Sequence, residues 1–342
     1  MGEAKPKKLK FVDISKGIGI LLVVLGHTVV PEMRNNSAVC AGLFRFIYSF
    51  HMPLFVGLSG YIFELNREKY ITRGFKRFAL SKCKALILPY ISFSILSYAG
   101  INLAFRVPLL ADVLRRGGYE PTPLPSALFQ IVTHIGHIDN HMWFVYALFF
   151  IFLISFLLRG LAKNLLFLLA VYAAYLTLAL SGSDAPLIVL KVLLHLVYFN
   201  LARYITVIDR LTRNRICLPL LCASFLLLYC ASCADWGVLG PILEIPVAVA
   251  GSLSVLAFAR RLTAARAANP LAMLGNYSYD IYLIHQPFIV SGTGGLLLAA
   301  TSLRYPVICA VTFVLGCAVP MILSRCVLRR YRILNAAFLG GR

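Results

Sequence analysis

Acidic side chains are scarce in this sequence. Only 13 Asp and Glu stand against 33 Lys and Arg in 342 residues, for a formal charge of +20. Charged residues are 13% of the chain, against about 25% in a soluble domain. So few polar groups cannot cover a globule of this size, which excludes a water-soluble protein. There is no Gly-rich phosphate loop of the Walker type and no G-x-S-x-G nucleophile elbow. No convincing internal repeat and no soluble domain are visible. The nine cysteines lack metal-ligand spacing. Cys230 and Cys233 form C-A-S-C inside an apolar run, where small buried thiols are common.

What is present is apolar sequence. With 60% hydrophobic residues and a mean hydropathy of +0.82, the chain reads as an all-α, polytopic integral membrane protein. Ten apolar segments of helical length are predicted: 14–32, 44–65, 85–105, 142–158, 164–181, 186–205, 216–234, 240–259, 270–290 and 305–324. In a soluble protein the cationic excess would suggest nucleic acid. Here the basic residues lie mostly between apolar segments, so no nucleic-acid partner is expected. An even number of spans puts both termini on one side. A cytoplasmic N-terminus then places 26 basic residues inside, among them seven in 67–84. It leaves seven outside: Arg34, Arg45, Arg106, Arg115, Arg116, Lys191 and Arg304. The positive-inside rule therefore fixes both termini in the cytoplasm. Ser37 to Cys40 hints at a lipoprotein cleavage site. However, Val39 is a poor residue before such a cysteine and Lys16 interrupts the run, so the first segment reads as a retained signal anchor. The simplest organisation is one membrane domain over 1–342, with a basic N-terminus at 1–12 and a basic tail at 325–342.

The stretch KGIGILLVVLGH runs from Lys16 to His27. Eleven positions are almost three helical turns, so the two side chains fall within roughly 20° on one face, about 16 Å apart. An ionisable pair at membrane depth is costly unless it serves a pathway or a reaction. Asp13, three positions before Lys16, is placed to pair with and orient it, or forms a surface ion pair at the helix entrance. The second segment carries His51, with Pro53, Gly57 and Gly60 to loosen the helix and admit close neighbours. His27 and His51 both lie toward the outer halves of antiparallel helices, which makes them candidate neighbours. Either is a packing histidine or a proton acceptor.

The loop 106–141 ends in HIGHIDNHMW. Its His134, His137, Asp139 and His141 resemble metal ligands but not in a standard spacing, so no metal is expected and an outer-mouth role in acceptor binding is preferred. Trp143 and Phe144 behind it read as interfacial anchors. In LGNYSYDIYLIHQPF, Asp280 and His285 lie inside an apolar run, five apart and off one face. Asp280 is either functional or hydrogen-bonded to a neighbouring helix, with Tyr277, Tyr279 and Tyr282 as available partners. The inner loop 66–84 carries Arg73, Lys76, Arg77 and Lys84 at helical spacing, so a short amphipathic helix is predicted. It is a topology signal drawn to anionic lipid, or it binds a polyanion such as the phosphates of coenzyme A, with Arg73 and Arg77 as a clamp.

These pieces resemble the acyltransferase-3 family of integral membrane acyltransferases, close to its fucose O-acetylase-like and polysaccharide O-acyltransferase subgroup. The matching stretches are 13–28, 50–63, the basic loop ending at 84–90, 142–149 and 274–288. The resemblance implies ten core helices and transfer of an acyl group from cytoplasmic acyl-CoA, acetyl-CoA first among them, to a carbohydrate or lipid-linked glycan hydroxyl. It implies a catalytic pair, His27 and His51, with Lys16 where many members carry Arg. It places Ser59 and Tyr61 in the family's S-G-[FY] element. With Asp13, Arg73, Lys76 and Arg77 these form the expected donor side; His141, Trp143, Asp280 and His285 form the expected acceptor side. No bound cofactor is expected, and an inner or plasma membrane is the expected location. No extra hydrolase-like domain is visible, so the chain is expected to act alone, with a partner protein or as a homo-oligomer. A secondary transporter of a glycan or small anion, using Lys16, His27 and Asp280, is the alternative.

Overall fold

The computed structural model describes residues 9–136, 140–161, 164–182, 184–234, 236–266 and 268–341. Among the described residues every regular element is helical and no β-strand occurs. Six helices are long and apolar enough to cross a membrane: Lys10–Thr28, Ala38–Leu65, Phe75–Ala104, Asn140–Leu157, Gly240–Leu262 and Tyr305–Leu328. Two more reach that length only as bent pairs. Leu187–Leu201 meets Ile205–Arg213 at 70°, and Ala268–Ile284 meets Phe288–Ala300 at 69°. The chain is thus a multi-pass membrane protein, with six to eight helices of spanning length among the described residues. The other two predicted segments fold as the 16-residue helices Leu165–Leu180 and Cys217–Ser232. At 1.5 Å per residue each is about 24 Å long, short of a hydrocarbon core of about 30 Å.

The second bend has a local cause. Pro287 has no backbone N–H to continue the ladder and disfavours helix at the residue before it. The helix therefore stops at Ile284 and leaves His285 at the break. The inner loop also divides. Gly74 takes φ +77°, where a β-carbon is strained, and separates Arg67–Arg73 from Phe75–Lys82. The predicted amphipathic helix is therefore two short helices, and Arg73 and Arg77 do not share one helical face.

Small residues set the central packing. A β-carbon on Gly17 would overlap the Leu271 carbonyl, and one on Gly275 would overlap the Asp13 carbonyl. The first helix and Ala268–Ile284 therefore touch backbone to backbone, as small residues permit between membrane helices. Gly60 does the same against the Phe199 carbonyl. Carboxylate–arginine pairs fasten other helices. Arg203 Nε donates to Glu64 Oε2 at 2.8 Å, with Arg203 and Glu64 side chains 0% and 10% exposed. Arg260 pairs with Asp209, and Arg329 Nε donates to Asp280 Oδ2 at 2.7 Å.

Candidate active site

His27 lies ten positions after Gly17, and His285 ten positions after Gly275. The two helices run parallel with Gly17 beside Gly275, so the same advance along each brings the two histidines together. Their ring centroids are 5.1 Å apart, edge to face. His141 completes the group at 6.5 Å from His27 and 5.4 Å from His285. It is delivered by the short turn Asn140–Met142, which Tyr282 ties down by donating its hydroxyl hydrogen to the His141 carbonyl.

His51 opens the helix His51–Leu65, and Tyr48 lies between it and His27. The Tyr48 ring is 4.6 Å from His51 and 6.2 Å from His27. The predicted neighbours thus share a chamber but are bridged by an aromatic ring. The ring nitrogen Nδ1 lies 2.8 Å from the Ile47 carbonyl in His51 and 2.8 Å from the Lys191 carbonyl in His195. In His285 it lies 2.9 and 2.8 Å from the carbonyls of Ile281 and Tyr282. A carbonyl only accepts, so Nδ1 carries the hydrogen in each neutral ring and the lone pair sits on Nε2.

A cavity of about 890 Å³ is lined by four of these histidines, while His285 packs behind His27. His27, His51, His141, His195 and Trp143 line it, with Arg34, Arg45 and Lys191 as its cations and Glu244 as its carboxylate. The Glu244 carboxylate accepts from the Tyr175 hydroxyl at 2.9 Å. A second, smaller cavity of about 190 Å³ lies against Lys16. Lys82 and Ser59 line it with an apolar and aromatic wall, and no described carboxylate does. The Lys82 ammonium sits 3.7 Å over the Phe152 ring. Met52 and Tyr282 line both cavities, so the two meet there. The helical rise alone puts Lys16 and His27 about 16 Å apart along this route.

Several expected residues lie elsewhere. Tyr61 faces away from the Lys16 cavity, because two positions past Ser59 is about 200° around a helix. Its hydroxyl donates to Asp209 Oδ1 at 2.9 Å in the tie to Arg260. Asp280 is taken by Ser324 and Arg329 rather than by the nearby tyrosines, and does not line the histidine chamber. Asp13 lies in the first turn of its helix, its backbone against Gly275. Arg73, Lys76 and Arg77 are exposed on the two short helices and line neither cavity. Phe144 is buried between Phe55 and Tyr282, and Trp143 faces the chamber, so neither is an interfacial anchor. Of the loop cluster, His137 and Asp139 lie outside the described residues. His134 packs on Tyr90 and Tyr146 while His141 joins the histidines, so the two do not share a ligand set. No group of three metal-ligating side chains occurs among the described residues. Sequence reasoning did not select Tyr48, Lys82, Lys191 or His195.

A family model described as "Acyltransferase domain" matches residues 9–324. The chain is 46% identical over 52 residues to nodulation protein NolL of Sinorhizobium fredii, covering 15% of this chain and 14% of that protein. It is 26% identical over 144 residues to nodulation protein NolL of Mesorhizobium japonicum, covering 42% and 34%. The chain therefore matches about a third or less of the length of these curated relatives. No solved structure matches.

Proposed function

The chain belongs to the acyltransferase-3 family, and from that premise we propose that it moves an acyl group from cytoplasmic acyl-CoA to a carbohydrate or glycan hydroxyl on the opposite side of the membrane. One observation carries this reading: the Lys16 cavity and the histidine chamber share Met52 and Tyr282. A lysine-rimmed, aromatic-walled passage suits an anionic head followed by a thin pantetheine arm. Acetyl is the acyl group that best fits so small a cavity. The polar chamber beyond suits a hydroxylated acceptor.

In this mechanism Lys16 and Lys82 hold the donor phosphates, with Arg73, Lys76 and Arg77 attracting the polyanion from the cytoplasm. The thioester lies beyond Met52, beside His27. The acceptor hydroxyl oxygen attacks the thioester carbonyl, and its proton passes to His27. The new ester C–O bond forms, the C–S bond breaks, and the sulfur leaves as thiolate to take up that proton as free thiol. His285 and His141 fix the His27 ring, and His51 lines the opposite wall through Tyr48. Full passage of the two 16-residue helices would make ten spans, with both termini cytoplasmic in an inner or plasma membrane. Lipid surrounds the protein, and a partner protein or second copy assists acceptor delivery.

Purified protein in nanodiscs tests the reading by free-thiol release from acetyl-CoA, with and without a glycan extract. His27→Ala is expected to lower extract-dependent release by about a hundredfold or more. Normal release by correctly folded His27→Ala protein would falsify the role of His27. Extract-dependent glycan flux without thiol release would instead favour a transporter.

A further inference from the structure

On the ten-span topology proposed above, only seven basic residues fall outside the cytoplasmic face, and three of them, Arg34, Arg45 and Lys191, line one cavity with the histidines. Topology disfavours cations there. An ammonium at membrane depth without a carboxylate partner is costly unless a ligand supplies the counter-charge. Arg34 stacks at 4.1 Å on Phe44, and Lys191 sits 4.2 Å over Trp143. Among the described residues none of the three forms an ion pair with Asp or Glu. The chamber's carboxylate, Glu244, is engaged by Tyr175. Three cations therefore face a space that one carboxylate does not balance.

Lys191 also stands at a junction. A further cavity of about 580 Å³ adjoins the chamber, sharing Asn140, Trp143 and Lys191 with it. Its lining is polar: Glu120, Thr122 and Gln130 contribute, and Gln130 Oε1 is buried with no hydrogen-bond partner in the structure. A buried amide oxygen of this kind fits a hydroxyl donor.

We propose that the acceptor is an anionic sugar, its carboxylate or phosphate held by Lys191 with Arg45 and Arg34 while a hydroxyl of the same molecule reaches His27. Its remaining hydroxyls extend into the polar vestibule toward Gln130. This deepens the acyltransferase reading and rests on it. A neutral sugar would leave the half-buried Arg34 and Lys191 without a counter-charge, so selection runs through charge as well as shape.

The test uses the full chain in nanodiscs and three probes: a neutral glucose oligosaccharide, an oligogalacturonate and glucose 1-phosphate. Binding and acetyl transfer are measured for each. At least one charged probe is expected to bind about tenfold more tightly than the neutral one. The uronate and phosphate arms distinguish the two sources of charge. Lys191→Ala is expected to erase that preference, raising KM about tenfold with a smaller change in kcat, and Lys191→Arg to restore it. Arg45→Ala, on another helix, gives a second route to the same loss if Lys191→Ala fails to fold. Equal binding of charged and neutral probes overturns the proposal. So does charge preference kept by folded Lys191→Ala protein. Charge-selective binding without any His27-dependent thiol release would overturn the acyltransferase reading and leave the anion site standing.

Discussion

Asp280 and His285 lie five positions apart, one inside a helix and one just past its end, and serve different ends. Helical phase explains this: five positions rotate about 140° off the same face. His285 meets His27, while Asp280 is 1% exposed and held by Ser324 and Arg329. Removing Arg329 would leave a buried carboxylate without its cation, which costs about 3 kcal/mol or more. Arg329→Ala is expected to lower the melting temperature in detergent substantially, whereas Asp280→Asn, which removes the charge with the partner's role, loses less. Loss of transfer in Asp280→Asn protein of unchanged melting temperature would put Asp280 back among the reacting groups. The same scale shows what the sequence carried. Lys16 and His27 stood out because each interrupts an apolar run, and the structure sets them in two adjacent cavities that share Met52 and Tyr282. Lys191 and His195 carried the same signal, four apart inside an apolar segment, but Lys191 counted only as a topological charge. Tyr48 and Lys82 gave no such signal, since a tyrosine beside an aromatic run and a lysine in a basic loop look like their neighbours.

Helix contacts decide whether those residues meet. Gly17 and Gly275 bring two helices to backbone contact and thereby set the register of His27 against His285. A larger side chain at Gly17 would press on the Leu271 carbonyl, and backbone cannot yield as a rotamer can. Gly17→Val is therefore expected to destabilise the protein by about 2–3 kcal/mol and to cut transfer by parting the histidines. Gly42→Ala is the control, because a β-carbon there meets nothing within 4 Å. It should be neutral or slightly stabilising through helix propensity. Equal thermal stability of both variants would show that the close contact does not set the register. The sequence indicated that small residues lay in these helices, and Gly60 against Phe199 agrees with that reading. It did not indicate which helix each glycine would meet, since partner choice depends on the three-dimensional bundle. For the same reason the inner loop read as one helix: the positive φ of Gly74 is a tertiary choice at a residue that also tolerates helix.

Across the whole molecule, three cavities lie side by side, the first two lined in part by the first helix at Lys16 and His27. The small Lys16 cavity, the histidine chamber and the polar vestibule join through shared walls, at Met52 and Tyr282 and then at Trp143 and Lys191. Composition alone predicted the membrane class, because 13% charge cannot clothe a soluble globule. It could not predict cavities, which exist only where several helices fail to fill the space between them. If donor and acceptor meet at a single junction, narrowing that junction must block transfer while leaving both ends able to bind. Met52 is 7% exposed and lines both cavities, so Met52→Trp adds bulk where the two meet. Coenzyme A binding at the Lys16 end and sugar binding at the far end should each stay within a few-fold of the native protein. Transfer should fall about a hundredfold, the scale of loss when reacting groups are held about 1 Å out of place. Met52→Ala, which widens the same point, should retain transfer and accept bulkier acyl groups. Full transfer by Met52→Trp protein would mean that the donor reaches His27 by another path.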